Sequence, residues 1–175
     1  TIELSVPRIM GIVNVAPDSF SDGGQFASER DAIAHCEQLV GEGADILDIG
    51  GESTRPGART PSAEEELARV LPVLRHALTL GVPISVDTSE PAVMRAVLEL
   101  GADIVNDIRA LQRPGALEAV VAHATCGVCL MHMQGEPGTM QAAPRYDDPV
   151  LEVAAFLAHR RDAALAAGIG LPRIV

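Results

Sequence analysis

The chain has no lysine and no tryptophan, a single tyrosine (Tyr146) and three phenylalanines, Phe20, Phe26 and Phe156. All thirteen of its basic residues are arginine. Without an ε-ammonium in these 175 residues, a Schiff-base lysine and a phosphate-loop lysine are both excluded within this stretch. So few rings leave an aliphatic core, built from Val, Ile, Leu and Ala. No basic run occurs and the formal net charge is −11, which argues against nucleic acid or an anionic membrane as partner, since both demand clustered cations. No segment approaches the roughly 20 apolar residues of a membrane-spanning helix, and the opening residues carry no apolar run of signal-peptide length. Three scattered cysteines fit a reduced, cytoplasmic protein. Cys126 and Cys129 have zinc or redox spacing, with His132 close behind. On a strand, at about 3.3 Å per residue, Cys126 and His132 would stand roughly 20 Å apart. That is too far to share an ion, so buried structural cysteine is the expectation.

What is present is an ordinary globular composition, 47% apolar and 21% charged, laid out as one unit repeated. Apolar runs at 9–15, 46–49, 83–86, 104–105 and 128–131 read as strands covered on both faces. Between them, helices are predicted at 29–41, 63–80, 90–100, 115–124 and 149–167. Their ends carry punctuation. Ser62-Ala-Glu-Glu65 is a capping-box pattern. Ser89 before Glu90-Pro91, and Asp148 before Pro149, predict caps ahead of first-turn prolines. Gly43, Gly81, Gly101 and Gly168 stand where helices should stop. A local echo, Gly43-Ala-Asp-Ile-Leu-Asp-Ile against Gly101-Ala-Asp-Ile-Val-Asn-Asp, runs twice from helix end into strand.

Strands alternating with helices predict a parallel sheet with right-handed crossovers. Polar residues choose between an open doubly wound sheet and a closed barrel. Asn14, Asp48, Asp87, Asn106 with Asp107, and His132 all fall at the C-terminal end of a predicted strand. Polar groups after five successive strands are what the top of an α/β, (β/α)8 TIM barrel presents, whereas an open sheet gathers its site at one switch point. A full barrel needs about 250 residues. The expectation is therefore a single domain over 1–175 that is an incomplete barrel: about five βα units and, at Arg173-Ile-Val175, the start of a sixth strand, with the rest in a longer protein.

Two rim loops carry the strongest chemical signal. After the first strand comes Asn14-Val-Ala-Pro-Asp-Ser-Phe-Ser-Asp-Gly-Gly24, and after the second Gly50-Gly-Glu-Ser-Thr-Arg-Pro-Gly57. Backbone N–H groups beside paired glycines, with hydroxyls and one arginine, suit a phosphate-bearing ligand. Asn14 with Asp18 or Asp22 offers oxygen ligands to Mg²⁺, which takes few protein ligands alongside substrate phosphates. Gly, Ser, Pro and Asp are also ordinary turn formers, so either loop alone leaves both readings open. Two on one rim favour the ligand. Asp87 and Asn106 could instead cap the helices that follow them, but Ser89 is better placed than Asp87 for that work. Met131 reads equally as core, and His132 as a ligand or a strand-end hydrogen-bonder.

These loops, together with Ile84-Ser-Val-Asp-Thr88, Ile104-Val-Asn-Asp-Ile108 and Leu130-Met-His-Met-Gln-Gly135, resemble the signature segments of the dihydropteroate synthase family in the same order. The resemblance runs from Ile9 to the end, and Pro17-Asp-Ser-Phe-Ser-Asp-Gly-Gly24 is highly specific. Ala16 departs from it, where the family commonly has Thr. The resemblance implies a transferase of folate biosynthesis, a sulfonamide target, that joins 6-hydroxymethyl-7,8-dihydropterin pyrophosphate to para-aminobenzoate and releases pyrophosphate. It implies a pterin held by Asp87 and Asn106 with Met131 on its ring, and Mg²⁺ held by Asn14. Thr54 and Arg55 would bind anionic groups, and Phe20 and Pro56 would wall the para-aminobenzoate site. Asp22 would help close the site, making Asp22, Arg55 and Asp87 the candidate catalytic residues. The family's remaining site residues fall beyond Val175, so this stretch alone is expected to be inactive, and the whole protein a cytoplasmic homodimer. Two alternatives are a methyltransferase on the same pterin-binding barrel, which has no use for a pyrophosphate site, and a pterin-binding paralogue without activity.

Overall fold

A computed structural model describes residues 2–15, 29–52, 59–141 and 143–175. Among the described residues, five strands alternate with five helices: β1 (Met10–Asn14), α1 (Glu29–Gly41), β2 (Ile46–Gly50), α2 (Ala63–Ala77), β3 (Ile84–Asp87), α3 (Pro91–Leu100), β4 (Ile104–Asp107), α4 (Ala116–Val121), β5 (Gly127–Leu130) and α5 (Pro149–Ala166). A short 3₁₀ turn, Leu171–Arg173, leads to Ile174, which bridges in parallel to Val128. All strand pairs are parallel and the order is β1-β2-β3-β4-β5, with no reversal. A doubly wound sheet would turn back on itself somewhere in that order; strictly sequential neighbours make this part of a (β/α) barrel. The sixth strand starts where the sequence places it.

The two faces of the strands differ. Val13, Leu47, Ile49, Ile84, Val86, Val105 and Val128 point outward beneath the helices and are fully buried. Burying a side chain of this size is worth about 1.5–3 kcal/mol, so this layer holds the helices on. The inward face is mixed, with Asp48 and Ser85 buried, and Ile12 half exposed. At the N-terminal ends of the strands, Leu4, Met10, Ile46, Ile104 and Gly127 line an apolar cavity of 340 Å³. Asp103, Thr125 and Arg173 also line it, and Cys129 at its inner end is in register with Asn106.

Local signals account for most boundaries. The Ser62 hydroxyl accepts from Glu65 N at 3.2 Å, and the Glu65 carboxylate accepts from Ser62 N at 2.8 Å, the reciprocal box that starts α2. Asp148 caps α5 by accepting from Val150 and Leu151. The cap of α3 differs from the sequence reading: it is Glu90, not Ser89, and Ser89 donates instead to Asp107. The helix after Gly115 is also shorter than predicted, ending at Val121.

The sequence echo is a structural device used twice. Gly43 and Gly101 take left-handed backbone (φ 100° and 119°) and turn the chain out of α1 and α3. The aspartate two residues on then reaches the start of the preceding strand. Asp45 accepts from Ile9 N at 2.8 Å, while its own N–H donates to Ile9 O at 2.8 Å. Asp103 accepts from Ile84 N at 2.9 Å, and its N–H donates to Ile84 O at 2.8 Å. Each aspartate thus locks one strand to the next before the ladder begins.

Candidate active site

One row of the sheet carries the site. Asn14 is in register with Gly50, Gly50 with Asp87, Asp87 with Asn106, and Asn106 with Cys129. Registered neighbours in a parallel ladder share a face, so Asn14, Asp87 and Asn106 line the same side of the strand ends. Gly50 keeps the row open: a Cβ there would come within 3.3 Å of Asn14 Oδ1 and 3.7 Å of Asp87 Oδ2. Met131 follows two residues after Cys129 and its N–H donates to Asp107 O at 3.4 Å.

Below this row lies a buried polar floor. Asn106 Nδ2 donates to Asp48 Oδ2 at 3.1 Å, so the amide reaches across from β4 to β2 and its orientation is set. Asp48 Oδ1 and the Ser85 hydroxyl are both buried without a hydrogen-bond partner among the described residues. Burial pushes the Asp48 carboxyl up. Ser85, its register partner, and Asn106 oppose that shift, Ser85 without hydrogen-bonding geometry. Unpaired polar groups of this kind are uncommon in protein interiors and cost roughly 1–3 kcal/mol each.

Asp87 is the most perturbed group in the mouth. Burial, and then the carboxylates of Asp48, Asp107, Glu52 and Glu66, push its carboxyl up to about 8. Glu66, on α2 and almost fully buried, is pushed up to about 7 by burial, with Glu52 and Glu90 adding to it against Thr88 and Arg113. Asp87 therefore stands within electrostatic reach of four other acidic side chains. A ligand that offers N–H donors or positive charge relieves them; an anion placed beside Asp87 does not.

The turn after β4 is built with care. Asp107 accepts from Arg109 N at 2.9 Å, from Leu111 N at 2.8 Å and from the Ser89 hydroxyl. Ala110 and Leu111 are left-handed (φ 50° and 57°), a conformation that costs on the order of 1 kcal/mol per residue and persists only where neighbours enforce it. Arg160 of α5 does so from outside, donating to the carbonyls of Ala110 (2.8 Å) and Leu111 (3.1 Å). Asp107, read as a strand-end polar group, thus organises the backbone. Arg109 was not singled out from the sequence. Its only signal was an arginine two residues after a strand-end aspartate.

The segment after β5 closes on itself. Gln134 Nε2 donates to Arg145 O at 2.7 Å and Arg145 N donates to Gln134 Oε1 at 2.8 Å, pinching the loop at its base. His132 packs edge-on against Phe156 (centroids 4.9 Å apart) and tilted against Tyr146 (5.9 Å), which gives it a packing role. Cys126 is structural too, its thiol donating to His123 O at 3.4 Å and accepting from Arg173 Nη2 at 3.2 Å. Of the sequence-predicted site residues, Asn14, Asp87 and Asn106 are brought into one row with Met131 close beyond it. Phe20, Asp22, Thr54, Arg55 and Pro56 lie outside the described residues.

A partial barrel with its polar groups gathered on the strand ends has the layout of the barrel-enzyme class. The chain belongs to the pterin binding enzyme family, whose model matches residues 10–175. It is 55% identical over 176 aligned residues to the dihydropteroate synthase of Neisseria meningitidis serogroup B, covering 99% of this chain and 62% of that protein. Among solved structures, it superposes on Yersinia pestis dihydropteroate synthase with a sulfonamide drug complex (TM-score 0.94, 48% identity, 99% of this chain and 63% of that one). It also superposes on Burkholderia cenocepacia dihydropteroate synthase complexed with 7,8-dihydropteroate (TM-score 0.84, 47% identity, 97% and 57%). The chain therefore spans about three-fifths of the length of these relatives.

Proposed function

We propose that the protein carrying this chain is a dihydropteroate synthase, a transferase that condenses 6-hydroxymethyl-7,8-dihydropterin pyrophosphate with para-aminobenzoate and releases pyrophosphate. The observation that carries the reading is the registered pair Asp87 and Asn106, with the amide of Asn106 held by Asp48. A pterin edge has ring N–H and amino donors, and a carboxylate beside an amide is a fitting counterpart. Met131 would pack on the ring. The relatives named as dihydropteroate synthases, at about half identity, favour this over a methyltransferase on the same barrel.

The chemistry follows from charge. The bond from the pterin methylene to pyrophosphate breaks ahead of attack by the weakly basic aromatic amine, leaving positive charge on the pterin side. An acidic mouth stabilises that charge, and Asp87 is placed to carry most of the effect once ionised. Thr54 and Arg55 would hold the anionic leaving group, Phe20 and Pro56 the aminobenzoate, and Asp22 would help close the site. Asn14 contributes one side-chain oxygen at the end of β1, and no cluster of three or more His, Cys, Asp or Glu that could hold a metal occurs among the described residues. That donor set fits Mg²⁺, which takes most of its oxygens from water and phosphate. When bound, the ion would neutralise the leaving pyrophosphate. A cytoplasmic homodimer is part of the same proposal, from the family resemblance; no helix among the described residues is long and apolar enough to cross a membrane.

The test is pyrophosphate release by the whole protein from the two substrates, in wild type, Asp87→Asn and Arg55→Ala. Each variant is expected to lose at least about a hundredfold in turnover, as removal of a transition-state electrostatic group does, with unchanged circular dichroism. Wild-type rates in either variant would remove the role assigned to that residue. No release by wild type would remove the function.

A further inference from the structure

Arg109 belongs to the β4–α4 turn but spends its side chain elsewhere. Its guanidinium is nine-tenths buried, and all three of its nitrogens are engaged by two other loops. Nη1 donates to Glu52 Oε2 at 3.2 Å and Nη2 to Glu52 Oε1 at 3.4 Å, a two-pronged pair in which Glu52 is as buried as its partner. Nε donates to Glu136 Oε2 at 3.1 Å, and Glu136 is largely exposed. Glu52 follows β2 by two residues; Glu136 lies in the loop after β5. One cation therefore joins the stretches that follow β2, β4 and β5.

The anchoring behind Arg109 is stronger than a connecting turn needs. Asp107 fixes its N–H and that of Leu111, Ser89 steadies Asp107, and Arg160 holds the two left-handed carbonyls from α5. Gly51, just before Glu52, approaches α2 so closely that a Cβ would stand 2.7 Å from Val70 Cγ2 and 2.9 Å from Glu66 Cγ. The strand end is thus pressed against α2 on one side and tied to Arg109 on the other. Glu52 is also one of the charges bearing on Asp87, so the same contact offsets part of the acidity of the mouth.

We propose that Arg109 is a positioning residue: through Glu52 and Glu136 it sets where the residues just after β2 and the β5–α5 loop stand relative to Asp87 and Asn106. An arginine is needed for this because a lysine offers a point charge and cannot grip a carboxylate with two nitrogens while a third serves another loop. The structural part stands on the geometry alone, and its catalytic consequence rests on the synthase reading above.

Hydrogen exchange on the 175-residue chain tests the first part. In Arg109→Met, amides at 51–52 and at 134–141 should exchange at least tenfold faster, while those of β3 and α3 stay within twofold. In Glu136→Gln only 134–141 should loosen. If Arg109→Met fails to fold because Glu52 is left buried and alone, the double variant Arg109→Met with Glu52→Gln removes that charge and should show the same loosening. Acceleration confined to 108–113 in whichever variant folds would overturn the proposal. For catalysis, Arg109→Lys in the whole protein should raise KM for the pterin pyrophosphate at least tenfold, with kcat within threefold of wild type. An unchanged KM would overturn the positioning role. A wild-type protein that releases no pyrophosphate would instead sink the synthase reading and leave the exchange result to judge the clamp.

Discussion

Ionising Asp87 means adding a negative charge beside Asp48, Asp107, Glu52 and Glu66. The folded chain holds the Asp87 proton up to about 8 and that of Glu66 up to about 7. An unfolded chain gives both up near 4. Between those limits the native state binds more protons than the unfolded one, so stability falls as pH rises through the window. Urea unfolding of the chain at pH 5 and pH 8.5 should differ by several kcal/mol, with the lower pH the more stable. Asp87→Asn should remove a large share of that difference; equal stabilities at both pH values in wild type would contradict the account. Ligand binding has the opposite dependence. A donor-rich or cationic ligand wants the carboxylate, so below about 8 its binding must expel a proton, and kcat/KM of the whole protein should climb with pH from 6 and level off near 8. A flat profile over that range would detach Asp87 from the reaction.

At the scale of elements, the aspartate locks are the feature to test. Asp103→Ala leaves Ile84 N without its partner at the start of β3 and should cost roughly 1–3 kcal/mol, the penalty of an orphaned, partly buried N–H. Asp103→Asn keeps an acceptor oxygen and should recover much of it, and denaturant midpoints of the two variants separate the cases. The elements themselves were largely legible. Uniform apolar runs gave the strands, because these strands are fully covered on their outer face; the inner one, expected to be covered too, ranges from buried at Asp48 and Ser85 to half exposed at Ile12. Helix-stop glycines and the Ser62 box gave the ends, because both are local chemistry. Ser89 was misread for an equally physical reason. A hydroxyl before Glu-Pro is a good cap by propensity, but Asp107 stands on the neighbouring strand end and claims it, which only the fold reveals. The candidate row Asn14–Asp87–Asn106 was legible because strand ends and site coincide in a barrel. Arg109 was not, since its meaning lies in Glu52 and Glu136, 57 and 27 residues away in the chain.

For the molecule as a whole, the inner face decides behaviour. Among the described residues β1 stands at one edge of the sheet, and Ile12 on it is half exposed toward the bore. An accessible edge carrying apolar side chains is a pairing liability. The isolated chain should self-associate as its concentration rises, and Ile12→Lys should suppress this without loss of helical signal. Sedimentation velocity on the two proteins checks it, and identical profiles would show that the edge is not what associates.

The paired locks have one more consequence. Asp45 fastens β1 to β2 and Asp103 fastens β3 to β4, but at the seam between β2 and β3 the corresponding place is held by Pro83, which offers its carbonyl to Leu47 N at 3.1 Å and no side-chain clasp. The chain is thus two self-fastened halves joined at an exposed bend, where a Cβ added at Gly81 would meet open space. A backbone cut at Gly81 would leave both clasps whole, so the two pieces, expressed separately, should find each other and dock along the β2–β3 seam: a natural place to divide this scaffold into a complementing pair.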